Sequence, residues 1–236
     1  MNFLAYGDQG LVVEFEPKID PDIHRLVMAW YRTIREASIP GIHTLIPAYH
    51  SLTIGFLPEA VRTAELIKRL EALEVNIDPA STGEMIHWRV PVCYDDENGQ
   101  DLTHVAKMLQ RSIEEVIELH TRGTYLVYLL GFLPGFPYMG ILPEELNVSR
   151  HKVPRLQVPA GSVGLAQRQT GIYPCASPGG WQIIGRTPIS LFDVAVQDFL
   201  FHPGDSVRFY SITAEEYDEW RNKLNGRPLN REELYD

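Results

Sequence analysis

The spacing of apolar residues along the first third of the chain changes period several times. Leu11-Val-Val-Glu-Phe15 follows a Gly-Asp turn and reads as a strand. From Pro21 to Ala37, Ile23, Leu26, Val27, Trp30, Tyr31 and Ile34 fall at i, i+3, i+4, i+7, i+8 and i+11, which predicts an amphipathic helix. Ile42–Ile46 and Ser51–Phe56 read as two strands, with Pro47 near the turn between them. Thr63–Leu73 is helical again, with Leu66, Ile67, Leu70 and Leu73 on one face, and Met85–Tyr94 alternates as a strand. The order β-α-β-β-α-β is the split βαβ plan, and it places a first domain over residues 1–94.

Asp95–Gly99 is polar and acidic and reads as a linker into a second domain over residues 95–236. Two short helices open that domain. The first begins at Asp101. The second has Ser112 as N-cap and Glu115 three residues on, a capping box, with Ile113, Val116, Ile117 and His120 on one face. Thr124–Leu130 reads as a strand and runs into Gly131-Phe-Leu-Pro-Gly-Phe-Pro-Tyr-Met-Gly140, a loop without charge but with three aromatic rings. Beyond it come short β-like pieces broken by Gly and Pro: Ser162–Ala166, Gly171–Tyr173, Gln182–Ile184, Ser190–Phe192 and Val207–Tyr210. Such spacing predicts a sandwich or a small barrel. Pro203-Gly-Asp205 marks a turn. Thr213 and Glu216 form a second capping box before an acidic helix, and residues after Gly226 read as a polar tail.

Charge redirects attention to one stretch. The net charge is −10, yet Asn147–Phe192 holds no Asp or Glu. The same stretch carries Arg150, His151, Lys152, Arg155, Arg168 and Arg186, with glycines at 161, 164, 171, 179, 180 and 185. Glycine lets backbone N–H groups approach a ligand closely, and arginine grips carboxylate or phosphate with paired hydrogen bonds. The pattern points to an anionic ligand; the competing reading is that these arginines pair with acids elsewhere. Ser177-Pro-Gly-Gly-Trp181 suggests a tight turn beside an aromatic platform, and Gln167-Arg-Gln-Thr-Gly171 a polar hairpin tip. His120, on the apolar side of its helix, reads first as a core histidine and second as the one candidate proton carrier.

The remaining composition mostly excludes. Apolar content of 44% and charged content of 22% describe a globular chain of 236 residues. The acidic balance argues against nucleic acid as a partner. No run is long and apolar enough to span a membrane. The first residues lack the basic and apolar regions of a signal peptide, and Cys93 and Cys175 sit in no metal or redox spacing, which together predict a cytoplasmic chain with reduced thiols. No histidine spacing suggests a metal site. Neither Ser162 nor Ser177 has a nucleophile elbow, and no familiar nucleotide-binding loop is present.

Three segments carry a resemblance: "LHTRGTYLVYLLGFLPGFPYMG", "HKVPRLQVPAGSVGLAQRQTGIYPCASPGGWQIIGRTPISLFD" and "HPGDSVRF", with "GDQGLVVEF" near the start. They resemble the allophanate-hydrolase-subunit-1 or carboxyltransferase C/D family, which includes B-type subunits of 5-oxoprolinase and Kip-type inhibitors of a sporulation histidine kinase. The resemblance implies an α+β chain: an N-terminal α/β domain followed by a cyclophilin-like β-barrel. It implies an ATP-driven complex with 5-oxoprolinase A and C type subunits that opens the lactam of 5-oxo-L-proline to L-glutamate, and it leaves open which chain holds ATP. A histidine-kinase partner, or a carboxyltransferase role in a urea-carboxylase system, are its alternatives; no biotin-attachment Met-Lys motif is present. On this reading Arg150, Arg155 and Arg186 face a small carboxylate or phosphorylated anion. Gln169 and Thr170 are neutral hydrogen-bonders, and His120 is the catalytic candidate. Phe132, Phe136, Tyr138, Gly179, Gly180 and Trp181 wall the pocket or a partner contact.

Overall fold

A computed structural model describes residues 1–77, 85–193, 198–225, 227 and 229–235. The chain forms two compact units, Met1–Met85 and Ile86–Asp236.

In the first unit, β1 (Asn2–Tyr6), β2 (Gly10–Glu14), β3 (Ile42–Pro47) and β4 (Ser51–Phe56) form an antiparallel sheet ordered β1-β2-β4-β3. Helix α1 (Pro21–Ala37) spans the predicted residues, with Pro21 in its first turn and the Asp20 side chain accepting from the Asp22 amide. Its buried Val27, Trp30 and Ile34 join Leu11, Val13, Leu52, Ile54 and Phe56 of the sheet and Leu66 and Leu70 of α2 (Thr63–Glu71) in one core. The edge strand β1 has no counterpart among the predicted elements, because its side chains are mostly exposed and carry no alternation.

The last strand expected in this unit belongs elsewhere. β5 (His87–Cys93) lies in the second unit, so the boundary falls after Met85 and not after Tyr94. There β5 pairs in parallel with β15 (Ser206–Ile212), more than a hundred residues later. Local periodicity cannot reveal so distant a partner. The expected linker is a tight turn instead: the Asp95 carboxylate accepts from the Asn98 amide at 2.7 Å, and a Cβ on Gly99 would come 2.5 Å from the Ile184 carbonyl.

The second unit is a closed barrel, which settles the choice against a sandwich. Its strands β6 (Thr124–Leu130), β7 (Pro137–Gly140), β9 (Ser162–Ala166), β10 (Gln169–Ile172) and β12 (Gln182–Arg186) join β5 and β15 in the order β10-β7-β6-β15-β5-β12-β9, closed between β9 and β10. Val163 and Leu165 of β9, Ile172 of β10 and Val207 and Phe209 of β15 enter one buried core, together with Val105 of α3 (Leu102–Leu109) and Val116 of α4 (Ile113–Arg122). Residues between them on each strand therefore face outward. Outside the ladder, β8 (Arg155–Val158) pairs with β11 (Ser177–Gly179), and β13 (Phe192–Asp193) with β14 (Asp198–Phe199). Both predicted capping boxes are formed, at Ser112/Glu115 on α4 and at Thr213/Glu216 on α5 (Ala214–Leu224). The expected polar tail is anchored: Leu234 is fully buried and the Tyr235 ring packs edge-on against Trp88 at 5.3 Å. Among the described residues no helix is long and apolar enough to cross a membrane.

Candidate functional site

The last four residues of the apolar loop are strand β7, and the loop's rings build a platform on the outside of the barrel. Phe136 is 1% exposed and meets Tyr173 and Trp181 edge-on, with centroids at 5.1 and 5.4 Å. Tyr138 packs against both Phe136 and Trp181, at 4.9 and 5.7 Å. The rings fit because the outward positions beneath them are glycines. A Cβ on Gly171 would lie 3.0 Å from the Phe136 ring, one on Gly164 3.0 Å from the Trp181 Cβ, and one on Gly179 2.3 Å from the Tyr173 hydroxyl. Three of the glycines expected to admit a ligand, Gly179 among them, thus admit aromatic rings. Gly180 differs: it is half-buried, and a Cβ there would meet only ordinary contacts at 3.7 Å or more.

Phe132 stands at the edge of the platform. It touches Phe136 and Tyr173 edge-on, at 5.6 and 6.4 Å, yet 61% of it is exposed. Its φ of 64° lies in the left-handed region, which costs a non-glycine residue about 1–2 kcal/mol. Val153, just before β8, and Leu156, within it, are 81% and 92% exposed. The loop's rings therefore divide: Phe136 is core, Tyr138 is half-buried, and Phe132 is presented to solvent.

The predicted cations do not form one cluster. Arg150 is exposed, sits over the Trp181 ring at 5.8 Å, and has no acidic partner among the described residues. Burial pushes the Tyr138 and Tyr173 hydroxyls up from their ordinary pKa, and the Arg150 charge opposes this at both. Arg155 instead follows the competing reading. One of its nitrogens pairs with the buried carboxylate of Asp101. That carboxylate also accepts the Ile183 amide at 2.7 Å and has His151 Nε2 at 3.3 Å. The other terminal nitrogen of Arg155, Nη1, has no hydrogen-bond partner. Arg186 lies at the far end of β12, where its Nε donates to the Ala160 carbonyl at 2.7 Å. Five residues of extended chain, about 16 Å, separate it from Trp181.

Gln169 and Thr170 part for a simpler reason: neighbours on a strand face opposite sides. Gln169 is half-buried on the outer face, whereas Thr170 is fully buried inside the barrel, where a ligand cannot reach it. Thr170 Oγ1 donates to the Gly164 carbonyl at 3.2 Å and lies 3.0 Å from His120 Nε2. The Tyr94 hydroxyl lies 2.7 Å from His120 Nδ1. These partners assign the tautomer: Nε2–H donates to Thr170 and Nδ1 accepts from Tyr94. The ring stacks on Phe209 at 4.5 Å and is wholly buried. Burial lowers its pKa from 6.5 to about 3. His120 is therefore a neutral core residue and not a proton carrier, because both nitrogens are engaged and no solvent reaches it.

Two residues of this region escape sequence reasoning. In the sequence Asp101 reads only as the start of a helix, and Tyr173 only as a strand end. The signal for Asp101 lies fifty residues away, in the acid-free stretch whose arginine needs a buried counter-charge.

The sequence model of the family described as "Carboxyltransferase domain, subdomain C and D" matches residues 1–201, and the chain belongs to that family. Its relatives include the 5-oxoprolinase B subunit of Bacillus subtilis (strain 168), which is 38% identical over 232 residues and aligns over 93% of this chain and 96% of the relative. The protein of the same name from Escherichia coli O157:H7 is 40% identical over 204 residues, covering 86% and 92%. The crystal structure of TTHA0988 matches with a TM-score of 0.78 at 34% identity, over 87% of this chain and 40% of that one. The chain thus spans less than half the length of that solved structure.

Proposed function

We propose that this chain is the B-type member of an ATP-dependent 5-oxoprolinase, acting with A- and C-type subunits in the cytoplasm to open 5-oxo-L-proline to L-glutamate. The observation that carries this is identity of 38–40% to 5-oxoprolinase B subunits along nearly their whole length. The geometry supports a part in binding and assembly. Arg150 over Trp181 offers one unpaired positive charge on an aromatic surface, which suits a monocarboxylate such as 5-oxoproline. A triphosphate needs more donors than this face presents, so ATP is assigned to the complex and not to the platform. Phe132 at the platform's edge, and Val153 and Leu156 shortly after Arg150 in the chain, are exposed, as partner-facing apolar residues are. The chain's contribution to chemistry is then positioning and electrostatic stabilisation of the anionic intermediate, with proton transfer supplied from outside this barrel. No observation favours the kinase-inhibitor reading.

Phe132→Gly separates site from fold. Glycine relieves the left-handed backbone by about 1 kcal/mol, while the lost ring contacts cost about 0.5–1.5 kcal/mol. The isolated chain should keep its unfolding free energy to within about 1 kcal/mol, whereas turnover of the assembled complex should fall roughly tenfold. Unchanged turnover in the assembled mixture would remove Phe132 from the site.

A further inference from the structure

Around the platform, three consecutive residues of one segment meet three of another in reverse order. The His151 amide donates to the Gly180 carbonyl at 2.7 Å. The Arg150 guanidinium lies over the Trp181 ring at 5.8 Å. Gln182 Nε2 donates to the Ser149 carbonyl at 2.9 Å. Arg150 is thus bracketed: the residue before it and the residue after it are each tied to a residue that flanks Trp181. Ser149 and Arg150 are exposed, and residues 149–154 belong to no helix or strand. These ties therefore fix a stretch of chain that no ladder or helix holds.

The two ties differ in kind. The one at His151 joins backbone to backbone, so it does not depend on which side chains stand there. The one at Ser149 depends on the Gln182 side chain. Gln182 opens β12 and is 2% exposed, and its Oε1 has no hydrogen-bond partner among the described residues. A buried amide oxygen left unpaired costs free energy that an apolar side chain of the same length would not. Stability of the barrel alone would favour such an apolar residue. What glutamine adds is the bond to Ser149, next to the arginine.

We propose that Gln182 is a positioning residue that holds Arg150 over Trp181 to receive the substrate carboxylate. Its effect on turnover rests on the 5-oxoproline reading of the platform; its effect on the arginine does not. Fixing the backbone on both sides of a long side chain removes part of the ordering that binding otherwise requires. With the Ser149 tie gone, the arginine is held from one side only, and the carboxylate must order it on arrival.

The test uses two variants. Gln182→Met keeps the length of the side chain and removes both amide groups. Gln182→Asn keeps the amide but withdraws it from Ser149 by one methylene. Nitrogen-15 relaxation of the intact chain should give the Arg150 amide an order parameter of about 0.85, falling towards about 0.6 in either variant while the barrel strands stay rigid. In the complex assembled with A- and C-type subunits, KM for 5-oxo-L-proline should rise roughly tenfold with kcat nearly unchanged, the pattern of lost ground-state binding. Arg150→Gln should raise KM at least as much. An Arg150 amide as rigid in the variants as in the natural chain overturns the positioning role, whatever happens to kcat or the unfolding midpoint. So does a KM that rises for Arg150→Gln but not for the Gln182 variants. If Arg150 loosens and KM moves in none of the three variants, the positioning stands and the substrate reading of the platform fails instead.

Discussion

Asp101→Ala is expected to destabilise the barrel unit by about 3–5 kcal/mol, the usual cost of removing one partner of a buried ion pair. Asp101 is 4% exposed and serves two partners at once. Its carboxylate holds Arg155 of β8 and accepts the Ile183 amide of β12 at 2.7 Å. Alanine strands both: a half-buried guanidinium loses its counter-charge and a buried N–H loses its acceptor. Asp101→Asn keeps the shape and an acceptor and should cost less. The double variant Asp101→Ala, Arg155→Ala should cost less than the two single changes added, because the two groups act as a pair. Denaturant unfolding measures all four chains. A loss under about 1 kcal/mol for Asp101→Ala would show the pair to be as weak as a surface one, and would return Arg155 to the ligand-facing groups.

Acidification should have a comparably large effect through His120. Its folded-state pKa, about 3, lies below the ordinary 6.5. Below pH 6.5 the unfolded chain therefore takes up a proton that the folded chain refuses. Stability from this group is complete above pH 6.5 and falls as pH drops towards 3, by about 1.4 kcal/mol per pH unit. His120→Gln removes the titration. It should be less stable than the natural chain at pH 7, because the bonds to Tyr94 and Thr170 are disturbed, and this gap should narrow by about 2 kcal/mol at pH 5. A gap that stays constant between those pH values would mean that the folded ring protonates freely. The same shift keeps His120 out of any acid–base step near neutral pH.

Much of the fold is legible in the sequence because its causes are local. Proline in the first turn and an apolar stripe mark α1, and Ser112/Glu115 and Thr213/Glu216 mark the starts of α4 and α5, each with the cap hydrogen bonds in place. What is not legible depends on distant partners. β5 alternates as a strand of either unit would, and its assignment is made by β15 at the other end of the sequence. Arg155 resembles a ligand-binding arginine because its acid lies on the far side of β6 and β7 in the chain. Gln169 and Thr170 group together by sequence adjacency, which in a strand places them on opposite faces. The aromatic loop is legible as special but not as divided. Its division follows from Gly164 and Gly171, whose outward positions give Phe136 and Trp181 room to bury themselves and leave Phe132 outside.

Reconstitution tests the proposed role in the complex at its root. A- and C-type 5-oxoprolinase subunits are mixed with and without this chain, and ADP and glutamate release are followed with 5-oxo-L-proline present. Coupled release of both products is expected only when this chain is added, with the chain alone inactive. Full turnover from the other subunits without it would contradict the proposed role.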